Sequence, residues 1–410
     1  GNCLVEVDCL GECGGSAFID ECNTCVKNRY EYANAIAVGE NTSFIIKPDQ
    51  TILALGEQGS SSLNIPSDLT DVVQVAGFHD IQIALKSDGT VIRWGASING
   101  GGSYLPAGGL SDIVKIAAGS SHFLALKSDG TVVVWGGNGY GETDMPDAVC
   151  DCDGDGNIDP EYGNDCPWNQ GAVCYGLSDI IDVDAGDRHN VALKSDGTIV
   201  SWGTSTCCNI NFDNPYWGSY TEGLSDVVQI ATGTHGTLVL KSDSTVVAWG
   251  MSPPGFNAYN LPSYFPNGLT DIVQISAGNQ FNLALRSDGT VVSWGLNDNR
   301  GTVTGMPEII ECNEPNFPSP AWTGPCIGLS DIVAIDAGYW HSLALKSDGT
   351  VVGWGANYHG QLDFPSDLVA YMGDCVEDCA GQWGGTAEID IYYEDVDGDG
   401  LGAGDGFSYC

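Results

Sequence analysis

LSDIVKIAAGSSHFLALKSDGTVVVWGGNGYGETDMP, residues Leu110–Pro146, decides the fold. Ile113–Ala117, His122–Lys127 and Thr131–Trp135 are rich in β-branched and aromatic residues and are bounded by glycine or by Ser128-Asp129-Gly130. Runs of this kind suit a pleated, half-buried surface and read as strands. Gly130 supplies a positive φ and Asp129 bonds its own backbone, so the tripeptide reads as a tight turn. Helical periodicity is absent.

Further copies begin at Leu69, Leu177, Leu224, Leu269 and Leu329, and a worn first copy spans 33–56, making seven. Equivalent turns are Ser87–Gly89, Ser195–Gly197, Ser287–Gly289 and Ser347–Gly349; in the fifth copy Ser244 replaces the glycine, which implies a changed or strained turn. Trp94, Trp135, Trp202, Trp249, Trp294 and Trp354 each precede a glycine, with Leu55-Gly56 in the first copy. A large ring at one fixed point of each unit predicts packing between units. A repeat of three strong strands plus a short fourth segment predicts one propeller blade. The expected fold is therefore all-β, a seven-bladed β-propeller with disulfide-rich, calcium-binding inserts and terminal extensions.

The repeated Leu-Ser-Asp-Ile-Val, Ala-Leu-Lys-Ser-Asp-Gly-Thr-Val and Trp-Gly resemble the repeats of the regulator of chromosome condensation family over about residues 30–372. The resemblance implies a seven-bladed propeller. In that family nuclear members act in nucleotide exchange and chromatin binding, and a secreted bacterial relative inhibits β-lactamases. Fold alone does not choose among such roles.

Thirteen Lys and Arg against 54 Asp and Glu give a formal charge of −41. Phosphate binding needs clustered basic side chains, so nucleic acid is excluded as a partner. No apolar run is long enough for a membrane helix. The chain has neither an initiator Met nor a signal peptide, and reads as a processed product or a fragment. Sixteen cysteines point to an oxidising compartment, extracellular or cell surface. They are Cys3, Cys9, Cys13, Cys22 and Cys25 at the N-terminus; Cys150, Cys152, Cys166 and Cys174 in one insert; Cys207 and Cys208; Cys312 and Cys326; and Cys375, Cys379 and Cys410 at the C-terminus. Cys312 and Cys326 are expected to pair. Cys22 and Cys25 have zinc-knuckle spacing, but so many potential partners favour disulfides. Five cysteines at one end and three at the other leave one over on each side, to join the ends of one chain or to link two chains.

The organisation read from the sequence is a cysteine-rich N-terminal cap (1–29), a propeller (30–372) and a cysteine-rich C-terminal segment (373–410). The two flanks echo one another and resemble thrombospondin type 3 repeats in composition. Leu368–Met372 aligns with the opening strand of a repeat and is expected either to close the ring or to be a spare strand. The inserts 147–176, 204–223, 251–268 and 296–328 all follow a Trp-Gly, so they should emerge in equivalent places, on one face or rim. Tyr216, Trp217, Tyr220, Phe256, Tyr259 and Trp322 lie in them and are candidate partner contacts, for a protein or a sugar ring.

Two acidic loops carry the chemistry. Asp151, Asp153, Asp155, Asn157, Asp159 and Glu161 form one; Asp395, Asp397, Asp399, Leu401 and Asp405 form the other. Carboxylates at positions 1, 3 and 5, glycine at 6 and a carbonyl at 7 suit Ca2+. In the first loop Tyr162 stands where an EF-hand has its bidentate Glu. Catalytic signals are poor. His122, His189 and His341 share one repeat position, which Thr42, Ile81, Gly236 and Phe281 fill in the other copies, so they are expected to be structural and bonded to backbone. The resulting expectation is a secreted, non-enzymatic structural or surface-assembly protein. It self-associates as a homo-oligomer or polymer through its termini and inserts, and calcium and disulfides stabilise it. The alternative is an extracellular module whose aromatic inserts grip a protein or glycan.

Overall fold

A computed structural model describes residues 18–19, 25–26, 34–79, 81–95, 105–106, 109–151, 170–203, 224–234, 236–249, 269–296, 302–309, 311–312, 322–371, 390–392 and 407–409. The chain divides into two units, Ala33–Tyr371 and the pair Gly1–Tyr32 with Met372–Cys410. In the second unit Phe18–Ile19 pairs with Cys25–Val26, and Asp390–Tyr392 with Phe407–Tyr409.

The Ala33–Tyr371 unit is built of antiparallel sheets, one per repeat, seven among the described residues. The third is typical: Ile113–Ala118, His122–Lys127 and Val132–Gly137 lie side by side in that order. The middle strands are the most buried, because both of their faces meet neighbouring sheets. The first strands touch one another in a closed circuit: Ile36–Val38, Val72–Phe78, Ile113–Ala118, Ile180–Ala185, Val227–Thr232, Ile272–Ala277, Ile332–Ala337 and back. The core is accordingly a set of wedges between sheets. Leu124, Leu126 and Val134 of the third sheet, for example, pack on Ile180, Val183 and Trp202 of the fourth.

The turns follow the sequence. Asp129 Oδ1 accepts from Thr131 N at 3.0 Å and from Thr131 Oγ1 at 2.6 Å, and Gly130 holds φ 81°. Ser244 keeps the same geometry at φ 63°. The tryptophans do bridge units: Trp94 Nε1 donates to Ser62 O, Trp202 Nε1 to Glu142 O and Trp354 Nε1 to Thr302 O, each acceptor lying in the preceding repeat's connection.

One expectation needs correction, and one pair of alternatives is decided in favour of ring closure. The fourth strand is not a short segment of every unit. Among the described residues it occurs only where inserts supply it, as Gln170–Gly176 on the third sheet and Trp322–Gly328 on the sixth, each followed outward by one more strand. These inserts therefore extend a sheet edge that would otherwise expose unpaired backbone. Nor is there a spare opening strand. Ala370 N donates to Gly349 O at 2.9 Å, as Ile113 N does to Gly89 O, and Tyr371 N donates to Ile46 O at 2.7 Å. Ile36–Val38 then pairs with the rest of the same edge. The first sheet's inner edge is thus assembled from both ends of the unit.

Candidate binding face

Strand direction sorts the loops onto two faces. Each first strand ends where the second begins, and the third ends beside that point: His122 lies opposite Gly136, His189 opposite Gly203, Phe281 opposite Gly295. The inserts follow these third strands, so their roots share one face with the loops between first and second strands. The Ser-Asp-Gly turns occupy the other.

An axial cavity of about 220 Å³ lies inside the circle of first strands, at their C-terminal ends. At its mouth Gly119, Gly186, Gly233, Gly278 and Gly338 each face the backbone carbonyl of the next copy. A Cβ on any of them would lie 2.3–2.6 Å from that oxygen. The second copy breaks the pattern with Phe78, whose ring lies 6.1 Å from Tyr339 and 4.6 Å from His79, both edge-on. Tyr339 in turn meets Trp340 at 4.4 Å, and His79 Nδ1 meets Glu40 Oε2 at 2.5 Å.

Below the mouth the lining is polar. Asp184 Oδ2 accepts from Thr232 N at 2.6 Å, Asp336 Oδ2 from Val38 N at 2.8 Å, and Ser276 Oγ from Ala337 N at 2.9 Å. All three acceptors hold an amide of the following copy. Burial pushes Asp336 up to about 6, and the Asp184 charge adds to this; burial raises Asp184 as well. Burial alone would lower Lys115, but Asp182, its ion-pair partner, and Asp184 raise it.

Regulator of chromosome condensation (RCC1) repeats match residues 113–142, 180–207, 272–300 and 332–361. Among solved structures, yeast RCC1 (Prp20) bound to Kap60 is 19% identical, with a TM-score of 0.55 and 84% of each chain covered. Saccharomyces cerevisiae Prp20p, studied for binding to Gsp1p and histones, is 18% identical, with a TM-score of 0.53, 78% of this chain and 82% of that one. The ectodomain of the Physcomitrella patens receptor kinase CR4 is 16% identical, with a TM-score of 0.50, 79% of this chain and 73% of that one. The Ala33–Tyr371 unit is an RCC1-like β-propeller. No curated protein matches the chain in sequence.

In this RCC1-like propeller Nε2 of each repeat histidine meets a side chain, where the sequence suggests backbone. The partner lies on the next blade: His122 Nε2 with Asn190 Oδ1 at 2.6 Å, His189 Nε2 with Thr237 Oγ1 at 3.0 Å, His341 Nε2 with Ser43 Oγ at 2.9 Å. Burial lowers His122 to about 4 and His341 to about 3. Glutamines form a second inter-blade clamp: Gln74, Gln229 and Gln274 each exchange two bonds with Ile116, Ile275 and Ile335 of the next blade. In the third blade Lys115 occupies that position and pairs with Asp182 instead. The sequence reading missed Phe78, Asp184 and Asp336. Their signal was departure from the repeat's small residues at two columns, glycine for Phe78 and alanine or serine for Asp184 and Asp336.

Of the calcium candidates, Asp151 is described, 3% exposed at the end of Val149–Asp151. Asp153, Asp155, Asn157, Asp159, Glu161, Asp395, Asp397, Asp399, Leu401 and Asp405 lie outside the described residues. Both acidic motifs fall in the connection between two paired strands, Val149–Asp151 with Gln170–Gly176 and Asp390–Tyr392 with Phe407–Tyr409. Cys150 and Cys174 form a disulfide directly across the first pair. Cys326 is disulfide-bonded and stands opposite Cys312 in register. Trp322 pairs with Leu296 along the strand edge. Tyr216, Trp217, Tyr220, Phe256 and Tyr259 lie outside the described residues. No described helix is long and apolar enough to cross a membrane.

Proposed function

We propose that this RCC1-like propeller is an extracellular, non-enzymatic binding module that engages its partner through the face bearing the cavity mouth. The observation that carries the reading is the coincidence on one face of the insert roots, the axial opening and the residues that break the repeat, Phe78 and Tyr339 with Trp340. Binding energy concentrates in a few aromatic and charged anchors, and loops on a rigid scaffold present them well. The Cys150–Cys174 disulfide supports an oxidising location. The test is a panel of secreted proteins and glycans screened with wild type, with Tyr339→Ala, with Asp129→Asn on the face opposite Tyr339, and with Trp217→Ala in the 204–223 insert. Binding that survives both aromatic substitutions and fails with Asp129→Asn would overturn the assignment of the face.

Calcium on the two acidic loops is part of this reading and rests on their carboxylate spacing. A chelator should lower the melting temperature by several degrees, and calcium should restore it. An unchanged transition would remove calcium from the account. A second reading, surface assembly, rests on the unequal cysteines of the two ends. It requires disulfide-linked multimers on non-reducing electrophoresis of native material, and monomers alone would refute it.

A further inference from the structure

The axial cavity holds two carboxylates, Asp184 and Asp336, and one cation, Lys115, which is already paired with Asp182. Asp336 accepts from Val38 N, Ser276 Oγ and Ala337 N, all neutral donors, and among the described residues no basic side chain pairs with it. Asp184, by contrast, has Lys115 beside it. Asn279 lines the same cavity at 7% exposure, and its Oδ1 is buried without a hydrogen-bond partner. A half-buried carboxylate without a counter-ion and a buried, orphaned amide oxygen are both costly unless something supplies donors or charge. The mouth above them holds Phe78 where the sequence repeat otherwise places glycine, with the Tyr339 ring beside it. Aromatic faces favour a cation or an aliphatic stem. At about 220 Å³ the space falls below the roughly 300–1,000 Å³ of ordinary small-molecule sites and suits one unbranched chain.

We propose that the cavity receives a primary alkylammonium group. Its stem passes Phe78 and Tyr339, and its three N–H donors meet Asp336 and Asn279 Oδ1. An ammonium is donor-only and positively charged, the complement of this lining. The inference rests on the binding-module reading and gives that face a chemistry. The group comes either from a lysine side chain of a protein or from a free polyamine.

The test is calorimetric titration of the full chain at neutral pH with Nα-acetyl-lysine methylamide, with cadaverine and with Nα-acetyl-norleucine methylamide. Saturable binding of the amines at one site, without binding of the norleucine amide, is expected. The tighter of the two amines identifies the source. Asp336→Asn should weaken binding about tenfold or more, as loss of a charge-assisted bond does. Phe78→Gly, which restores the residue of the other copies, should weaken it severalfold. Asp129→Asn, on the opposite face, should change nothing; an equal loss there would reduce the effect to attraction by net charge and overturn the proposal. Equal binding of the norleucine amide, or undiminished binding by Phe78→Gly and Asp336→Asn, would also overturn it. Should Asp336→Asn not fold, Phe78→Gly still decides. If amines fail to bind while Tyr339→Ala still abolishes capture of a partner found in the panel screen, this inference falls and the binding-module reading stands.

Discussion

Ser244 holds a φ of 63°, where the same turn has glycine at 77–82° in five copies and Gln50 at 56° in the first. A side chain there crowds the carbonyl, at a cost of about 1 kcal/mol. Ser244→Gly should therefore raise the unfolding free energy by about that amount in urea melts, and an unchanged midpoint would show that the turn has relaxed. His341 acts through protonation. Its folded value of about 3 lies below the unfolded value of about 6.5, so the unfolded chain takes up the proton first as pH falls. Stability from its neutral ring is full above about 6.5 and declines toward 3, with a slope approaching about 1.4 kcal/mol per pH unit. Asp336, raised to about 6, works in the opposite direction: its burial costs most above that pH and the cost lessens on acidification. The His341 contribution is isolated by comparison with His341→Gln. The stability gap between wild type and variant should narrow between pH 7 and pH 5, and a constant gap would show that the ring does not titrate as described.

Between elements, the mouth glycines and the histidine pegs decide how closely blades approach. A Cβ on Gly186 would lie 2.6 Å from Gly233 O and 2.4 Å from His189 Cε1, whereas on Gly39 the nearest atom is Thr42 O at 3.4 Å. The difference follows from Phe78, which displaces the glycine partner of Gly39 in the next blade. Gly186→Ala should cost about 1–3 kcal/mol and Gly39→Ala much less, read by thermal melts. Similar losses at both would deny that contact geometry sets the requirement. Strands and turns were legible because their signals are local: Ser-Asp-Gly needs only its own three residues. The pegs were not, because His122 and Asn190 are 68 positions apart and belong to different copies. A column-wise comparison does hold the clue, since the residue after each histidine position in the next copy is Asn190, Thr237 or Ser43, while Ile81 is followed by Phe123. The candidate site was less legible still. Asp184 and Asp336 sit at a column filled elsewhere by alanine or serine, and only ring closure shows that they face one cavity.

At the scale of the whole molecule, the repeat count implies a ring, but its closure depends on a segment that carries little of the repeat signature. Ala370 is 1% exposed, and its amide meets Gly349 O, repeating the contact that Ile113 N makes with Gly89 O between ordinary neighbours. Tyr371 then continues onto Ile46 O. Val38 N to Asp336, Ser43 to His341 and Tyr339 N to Gly39 O also cross this seam. A closed ring distributes strain over every interface, whereas an open one leaves two exposed edges. Ala370→Pro removes the donor, orphans a buried acceptor and restricts Val369, at a cost of about 1–3 kcal/mol. The location of the loss matters more than its size. Amide exchange should quicken in Ile36–Val38 and Val351–Gly355, the strands on either side of the seam, while Ile180–Ala185 and His189–Lys194, far round the ring, keep their protection. Val369→Ala, at an exposed position in the same segment, should leave the pattern unchanged. Uniform quickening around the ring would mean that the propeller unfolds as one unit and that the seam is no weaker than the other interfaces.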